Sequence, residues 1–108
     1  MTRVSFFKVN GKFSGFEIKG HACLSFDTPD VLCAAISGMT MLVANTLTES
    51  FGAEIDFISD EKKPSIRLDV LSSPEENRGA VEGVLNGFAL QLQDLSEQYP
   101  SNLYVEVH

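Results

Sequence analysis

Two stretches of sequence decide the fold: Phe16-Glu17-Ile18-Lys19-Gly20-His21-Ala22 and, after seven intervening residues, Asp30-Val31-Leu32-Cys33-Ala34-Ala35-Ile36-Ser37. In the first stretch apolar and charged residues alternate, which is the period of a half-buried strand, and Gly20 closes it. In the second stretch Asp30 has the side chain of a helix N-cap and precedes an apolar run. The pattern predicts a strand that ends at Gly20 and a helix that begins at Asp30.

Five segments in all show the alternation of apolar and polar residues that is typical of strands. Their apolar positions, in chain order, are Val4, Phe6 and Val9; Phe16 and Ile18; Ile55 and Phe57; Ile66, Leu68 and Val70; and Leu103, Val105 and Val107. Asn10-Gly11 predicts a tight hairpin between the first two strands, since this dipeptide favours the left-handed backbone of a two-residue turn. The polar segment 60–64 predicts a turn between the third and the fourth strand.

Two segments have helical signals. The first helix is expected to run from Asp30 to about Ser50 as a buried core helix, with Phe51-Gly52 as its stop. Before the second helix, Ser73-Pro74-Glu75-Glu76 predicts a capping box with proline at the first helical position. The apolar positions of the second helix recur at helical spacing until Pro100: Val81, Val84, Leu85, Phe88, Leu92 and Leu95.

Three glycines, Gly79, Gly83 and Gly87, recur every four residues along the second helix. Glycine inside a helix costs about 1 kcal/mol relative to alanine, so three in register suggest that another backbone approaches closely. Packing on the sheet or on the first helix is the favoured cause. A dimer contact or a substrate groove is the alternative.

The element order is therefore ββαββαβ, which predicts an α+β fold with a single mixed sheet of about five strands and two helices packed on it. With 108 residues, 44% hydrophobic and 21% charged, we expect residues 1–108 to form one domain with its own core. Composition of this kind is ordinary for a globular protein and too apolar for a disordered one.

The charge, the length of the apolar runs and the number of cysteines exclude several classes of protein. The net charge is −7 with only eight basic residues, which argues against direct binding to nucleic-acid phosphates. The longest apolar run, 31–43, is shorter than the roughly 20 residues that span a bilayer, so no membrane partner is expected. Two cysteines are too few for a disulfide scaffold, and no secretory signal opens the chain. We therefore expect a cytoplasmic protein with a free thiol.

The candidate chemistry lies between His21 and Cys33. A cysteine in the first turn of a helix lies among unpaired backbone N–H groups, which stabilise a thiolate and can receive an oxyanion. An imidazole supplies the base that such a nucleophile needs. Asp30 would orient the imidazole in addition to capping the helix, and Asp27 is a second candidate for that role. The spacing predicts a Cys-His dyad of a cysteine hydrolase.

Other interpretations stay open at this stage. A cysteine in Leu-Cys-Ala-Ala-Ile is often a small core residue, in which case the protein would be a non-catalytic binding module. A redox protein would use Cys33 together with Cys23, which we otherwise interpret as loop packing. No metal is expected, because two cysteines and one nearby histidine lack a fourth ligand, and no cofactor motif is present. Phe26, Met39 or Leu42 would line an apolar groove if substrate recognition requires one.

The segments Gly20-His21-Ala22 and Asp30-x-x-Cys33-Ala34-Ala35-x-Ser37, at this separation, resemble the ribosomal-processing cysteine protease family, called Prp. The resemblance implies a small homodimeric α/β protease that removes an N-terminal extension from the large-subunit ribosomal protein L twenty-seven, after a pair of phenylalanines. By position, His21 and Cys33 would be the catalytic dyad with Asp30 in support. Phe26 and Asp27 would belong to a loop that meets the substrate.

Overall fold

The computed structural model describes residues 1–20, 30–60, 62 and 65–108. The described residues form five strands and two α-helices in the predicted order. Their bounds are β1 Thr2–Val9, β2 Lys12–Lys19, α1 Asp30–Asn45, β3 Glu54–Asp60, β4 Ser65–Ser72, α2 Arg78–Gln98 and β5 Leu103–Val107. The α+β fold class and the order ββαββαβ are confirmed.

The strands form one mixed sheet in the order β3-β4-β2-β1-β5. β1 is parallel to β5, and the other three pairings are antiparallel. Across the sheet, Arg3 is opposite Lys19, Lys19 is opposite Ser65, and Ser65 is opposite Asp60. This row defines the Lys19 end of the sheet, where both β2 and β3 finish.

Both tight turns predicted from glycine are present. Asn10 and Gly11 have φ of 53° and 77°, the left-handed backbone of the hairpin between β1 and β2. α1 continues as a π-helical turn, Thr46–Ser50, and Gly52 follows with φ of 66°. Its N–H donates to the Thr48 carbonyl at 3.1 Å, which satisfies a carbonyl group that the helix leaves unpaired. The helix therefore stops where the sequence predicts.

The capping box predicted at Ser73-Pro74-Glu75-Glu76 is wrong. Pro74 has φ of −55° and ψ of 139°, an extended conformation outside the helix, and no side chain caps the 3₁₀ turn Glu75–Asn77 that follows. The Asn77 N–H donates to the Pro74 carbonyl at 2.9 Å, and Asn77 Nδ2 donates to the Phe51 carbonyl at 3.0 Å. The start of α2 is therefore stabilised by these two hydrogen bonds of Asn77 instead of by a capping box.

The core lies between one face of the sheet and the two helices. The buried apolar residues of the strands share that face, whereas Arg3, Glu17 and Arg67 are on the other. At its centre the Phe88 ring meets those of Phe6 and Phe16 edge-on, with centroids 5.8 and 5.1 Å apart. The buried apolar residues are Val4, Phe6, Phe16, Ile18, Leu32, Ile36, Val43, Ala44, Leu47, Ala53, Leu68, Val81, Leu85, Phe88, Ala89, Leu92 and Leu103.

The expectation that the first helix is a buried core helix is only half correct. Leu32, Ile36 and Leu47 are buried against the sheet, but Val31 and Leu42 on the other side are 65% and 64% exposed. Among the described residues, the helical segment Val31–Ser50 is long and apolar enough to cross a membrane, and a third of it is buried here. Core packing accounts for the apolar composition of one side, and the helix presents a second apolar side to solvent.

Candidate active site

The first part of the site is the point where the chain leaves β2. Gly20 has φ of 68°, and a Cβ at this position would lie 2.5 Å from the Met1 carbonyl oxygen. The Thr2 hydroxyl donates to the Gly20 carbonyl oxygen at 2.8 Å. Only glycine accepts both the backbone angle and the close approach without strain. The geometry therefore fixes the backbone conformation at the end of β2.

The second part of the site is the start of α1. Leu32 and Ile36 are each 1% exposed and anchor the first turns of the helix in the core. Cys33, between them in sequence, is half-buried and packs against the edge of that core. As the fourth residue of α1 it lies in the first turn, directly after the three residues whose backbone N–H groups have no carbonyl partner inside the helix. The predicted nucleophile is thus held on a rigid element beside potential oxyanion donors.

In this structure Cys33 is disulfide-bonded. The expectation of a free thiol is therefore wrong for the state that the structure represents. Cys23, the only other cysteine of the chain, lies outside the described residues. A sulfur in a disulfide is not a nucleophile, so Cys33 needs reduction before it can attack a substrate.

The remaining predicted site residues are distributed as follows. Asp30 begins α1 and shares its first turn with Cys33. His21, Phe26 and Asp27 lie outside the described residues, so the dyad and the substrate loop stay predictions. Among the described residues, no group of three or more histidine, cysteine, aspartate or glutamate side chains is placed to hold a metal ion.

An apolar groove runs between α1 and α2, with a volume of about 370 Å³. It is lined by Met39, Leu42, Val43, Thr46, Val84, Gly87, Phe88 and Gln91. Met39 and Leu42 thus line an apolar groove, as predicted, whereas Phe26 lies outside the described residues and recognition of substrate in this groove stays a prediction.

The glycine stripe on α2 is open to solvent. A Cβ added at Gly79, Gly83 or Gly87 would meet no described atom within 4 Å. The expectation that the stripe packs on the sheet or on α1 is therefore wrong, since these positions face outward while Leu85 and Phe88 face the core. A dimer contact and a substrate groove remain the two alternative explanations of the glycine stripe.

A second groove, of about 380 Å³, is lined by both polar and apolar residues, and its polar residues include Lys12, Ser72 and Arg78. These residues lie where β2 begins, β4 ends and α2 begins, which is the end of the sheet opposite Lys19. The groove is therefore separate from the site around Cys33.

The structure combines a mixed sheet with a helix that has a cysteine in its first turn. Such a helix start favours thiol chemistry. Residues 1–104 match the family model of the cysteine protease Prp. The chain therefore belongs to the Prp family of cysteine proteases, and it is a hydrolase that acts on peptide bonds.

Solved structures share this fold. SMU.848 from Streptococcus mutans superposes with a TM-score of 0.86 at 23% identity, covering 99% of this chain and 93% of its own. The ribosomal processing protease Prp from S. aureus, in complex with a substrate peptide, superposes with a TM-score of 0.84 at 19% identity. The same protease with a covalently linked product peptide gives 0.82 at 20% identity, and in both cases each chain is covered completely. No curated protein sequence matches this chain.

Proposed function

We propose that this protein is a cytoplasmic endopeptidase that removes the N-terminal extension of the large-subunit ribosomal protein L twenty-seven. The observation that carries the proposal is the position of Cys33, half-buried in the first turn of a helix in a chain of the Prp family. The S. aureus relative of the same fold is a ribosomal processing protease that binds a substrate peptide. The acidic net charge of −7 favours a basic protein substrate over nucleic acid.

The proposed mechanism begins with reduced Cys33. His21 accepts the thiol proton, and the thiolate attacks the carbonyl carbon of the scissile peptide bond. The N–H groups at the start of α1 stabilise the oxyanion that forms, and Asp30 helps to orient the imidazole. The imidazolium then protonates the leaving amine, and water hydrolyses the thioester with His21 again as base.

The substrate assignment is tested with the ribosomal protein itself. The full-length protein from the same organism is incubated with the reduced enzyme and its products are weighed by mass spectrometry. We expect a single cut near the N-terminus, after a pair of phenylalanines, and no cut in a substrate whose two phenylalanines are replaced by serine. An intact mass for the unaltered substrate would exclude this substrate.

We also propose that the enzyme is a homodimer joined through the outer side of its helices. Leu42 on α1 and Leu90 on α2 are 64% and 58% exposed, although both are large and apolar. The open glycines Gly83 and Gly87 lie on the same stripe of α2 as Leu90 and let a second backbone approach closely. An exposed apolar surface that continues across two helices is typical of a protein interface.

We expect Leu42→Glu to weaken self-association at least about tenfold, because it places a charge in the apolar centre of the proposed interface. Sedimentation equilibrium across a range of protein concentrations measures the change. Leu71→Glu is the matched control, since Leu71 is 65% exposed on β4 and does not line the groove between α1 and α2. A wild-type protein that stays monomeric, or two variants that associate equally well, would contradict the interface.

A further inference from the structure

Thr2 and Thr40 are the two polar residues that the described part of the chain buries, each with 1% exposure. A hydroxyl group removed from water is costly unless it has a hydrogen-bond partner. The partner of Thr2 is on another strand, because Thr2 Oγ1 donates to the Gly20 carbonyl oxygen at 2.8 Å. Burial and the hydrogen bond together give the Thr2 side chain one defined orientation, toward the end of β2.

This hydrogen bond lies where the ladder between β1 and β2 stops. Arg3 and Lys19 are the last residues paired in that ladder, and Thr2 and Gly20 are the next residues on their strands. Gly20 leaves the extended conformation with φ of 68°, so regular strand pairing does not continue through it. The side chain of Thr2 therefore supplies a hydrogen bond to Gly20 at the point where the backbone ladder stops.

Thr2 is itself held from its other side. Its N–H donates to the Asn102 carbonyl at 2.8 Å, and in the parallel ladder it is paired with buried Leu103 of β5. Gly20 also approaches the backbone before Thr2 closely, since a Cβ at Gly20 would lie 2.5 Å from the Met1 carbonyl oxygen. The donor is thus on a supported part of the sheet, and it restricts the orientation of the Gly20 carbonyl.

Covalent geometry passes the restriction on Gly20 to the next residue. The carbonyl group of Gly20 and the amide nitrogen of His21 belong to one peptide unit, whose atoms are coplanar. A hydrogen bond that holds the Gly20 carbonyl oxygen therefore also holds the peptide plane at which His21 begins. His21 lies outside the described residues, and its role as the base is part of the proposed function.

We propose that Thr2 is a positioning residue of the protease. Its hydroxyl, through the Gly20 carbonyl, holds the backbone of His21 in the orientation in which the imidazole reaches the thiol of reduced Cys33. This inference rests on the proposed function and adds a residue to its mechanism. Thr2 takes no part in proton transfer. A catalytic group displaced by about 1 Å can lose about a hundredfold in rate, so the loss of one positioning bond is measurable.

The proposal is tested with Thr2→Val, which replaces the hydroxyl by a methyl group of similar size. Since Gly20 is exposed, water can bond to its carbonyl in the variant, and the melting temperature should fall by no more than about 5 °C. We expect kcat on the ribosomal protein to fall about tenfold and KM to change less than about twofold, because the binding surface is unchanged. Thr2→Ser keeps the hydroxyl and should retain most of the wild-type kcat. An equal loss of kcat in the serine and valine variants would overturn the proposal.

Thr40→Val is the matched control. The Thr40 Oγ1 donates to the Ile36 carbonyl oxygen at 2.8 Å, so this substitution removes a buried hydrogen bond of the same kind and length. Both residues of that bond belong to α1, and neither adjoins the peptide unit between Gly20 and His21. Thr40→Val should therefore keep the wild-type kcat. The same kcat for Thr2→Val and Thr40→Val would count against a positioning role for Thr2.

A second measurement does not depend on the substrate. Iodoacetamide alkylates a thiolate rather than a thiol, and a nearby imidazole increases the fraction of thiolate. We expect reduced Thr2→Val to be alkylated at Cys33 about fivefold more slowly than reduced wild type at neutral pH. Reduced Thr40→Val should react at the wild-type rate. Mass spectrometry of the peptide that contains Cys33 measures these rates.

The two measurements separate this proposal from the substrate assignment. If the reduced wild-type protein does not cut the ribosomal protein but Thr2→Val slows the alkylation of Cys33, the positioning role stands and the substrate assignment is wrong. If the wild-type protein cuts its substrate and Thr2→Val changes neither kcat nor the alkylation rate, the substrate assignment stands and the positioning role is wrong.

Discussion

Replacing Cys33 with alanine is expected to lower the rate of peptide cleavage by at least about a thousandfold. The thiolate is the atom that bonds to the substrate in the proposed mechanism, and alanine leaves only the binding surface and the N–H groups of α1. The measurement is the single-turnover rate on the ribosomal protein, with reduced wild type as reference. Oxidised wild type should also be inactive until a reductant is added, because Cys33 is disulfide-bonded in the structure.

The control for this experiment separates chemistry from folding. Cys33 is half-buried at the edge of the core, so Cys33→Ala should melt at nearly the same temperature as reduced wild type, which also lacks the disulfide, and it should still bind the substrate. Met41→Ala, at an exposed position about two helical turns further along α1, is the matched variant and should retain activity. Cleavage by Cys33→Ala at the wild-type rate would show that another residue is the nucleophile.

The strands were predictable because apolar and polar residues alternate along each of them, and in β1, β2, β4 and β5 part of the apolar face is buried. In β4, Ile66, Leu68 and Val70 alternate with polar residues, and the structure places these three toward the helices. The buried side of α1 was not predictable in this way, because the helix is apolar on both sides. Periodicity therefore could not distinguish Leu32, which is buried, from Leu42, which is exposed.

Features that depend on contacts between residues distant in the sequence could not be predicted from local patterns. The capping box at Ser73 failed because Asn77 bonds to the carbonyl of Phe51, a partner 26 residues away. The first turn of α1 was predictable because Asp30 marks a helix start within a few residues of Cys33. The position of β3 at the edge of the sheet was not, since it depends on the strand order rather than on the segment 54–60 itself.

Phe88→Ala should reduce the free energy of unfolding by about 3–5 kcal/mol. The Phe88 side chain is 4% exposed, and its ring meets Phe6 and Phe16 edge-on, so one side chain joins α2 to the adjacent strands β1 and β2. Alanine would lose both the buried apolar area and the two aromatic contacts. Urea unfolding at a single protein concentration, followed by circular dichroism, measures the difference.

The matched control is Leu71→Ala, an exposed position on β4 at which truncation should cost no more than about 0.5 kcal/mol. A domain of this size has about 5–15 kcal/mol of stability, so Phe88→Ala removes a large share of it and should also lower activity at elevated temperature. Similar unfolding midpoints for the two variants would mean that α2 does not depend on the aromatic cluster for its position. In that case the packing of Val81, Leu85 and Leu92 would have to hold the helix on the sheet by itself.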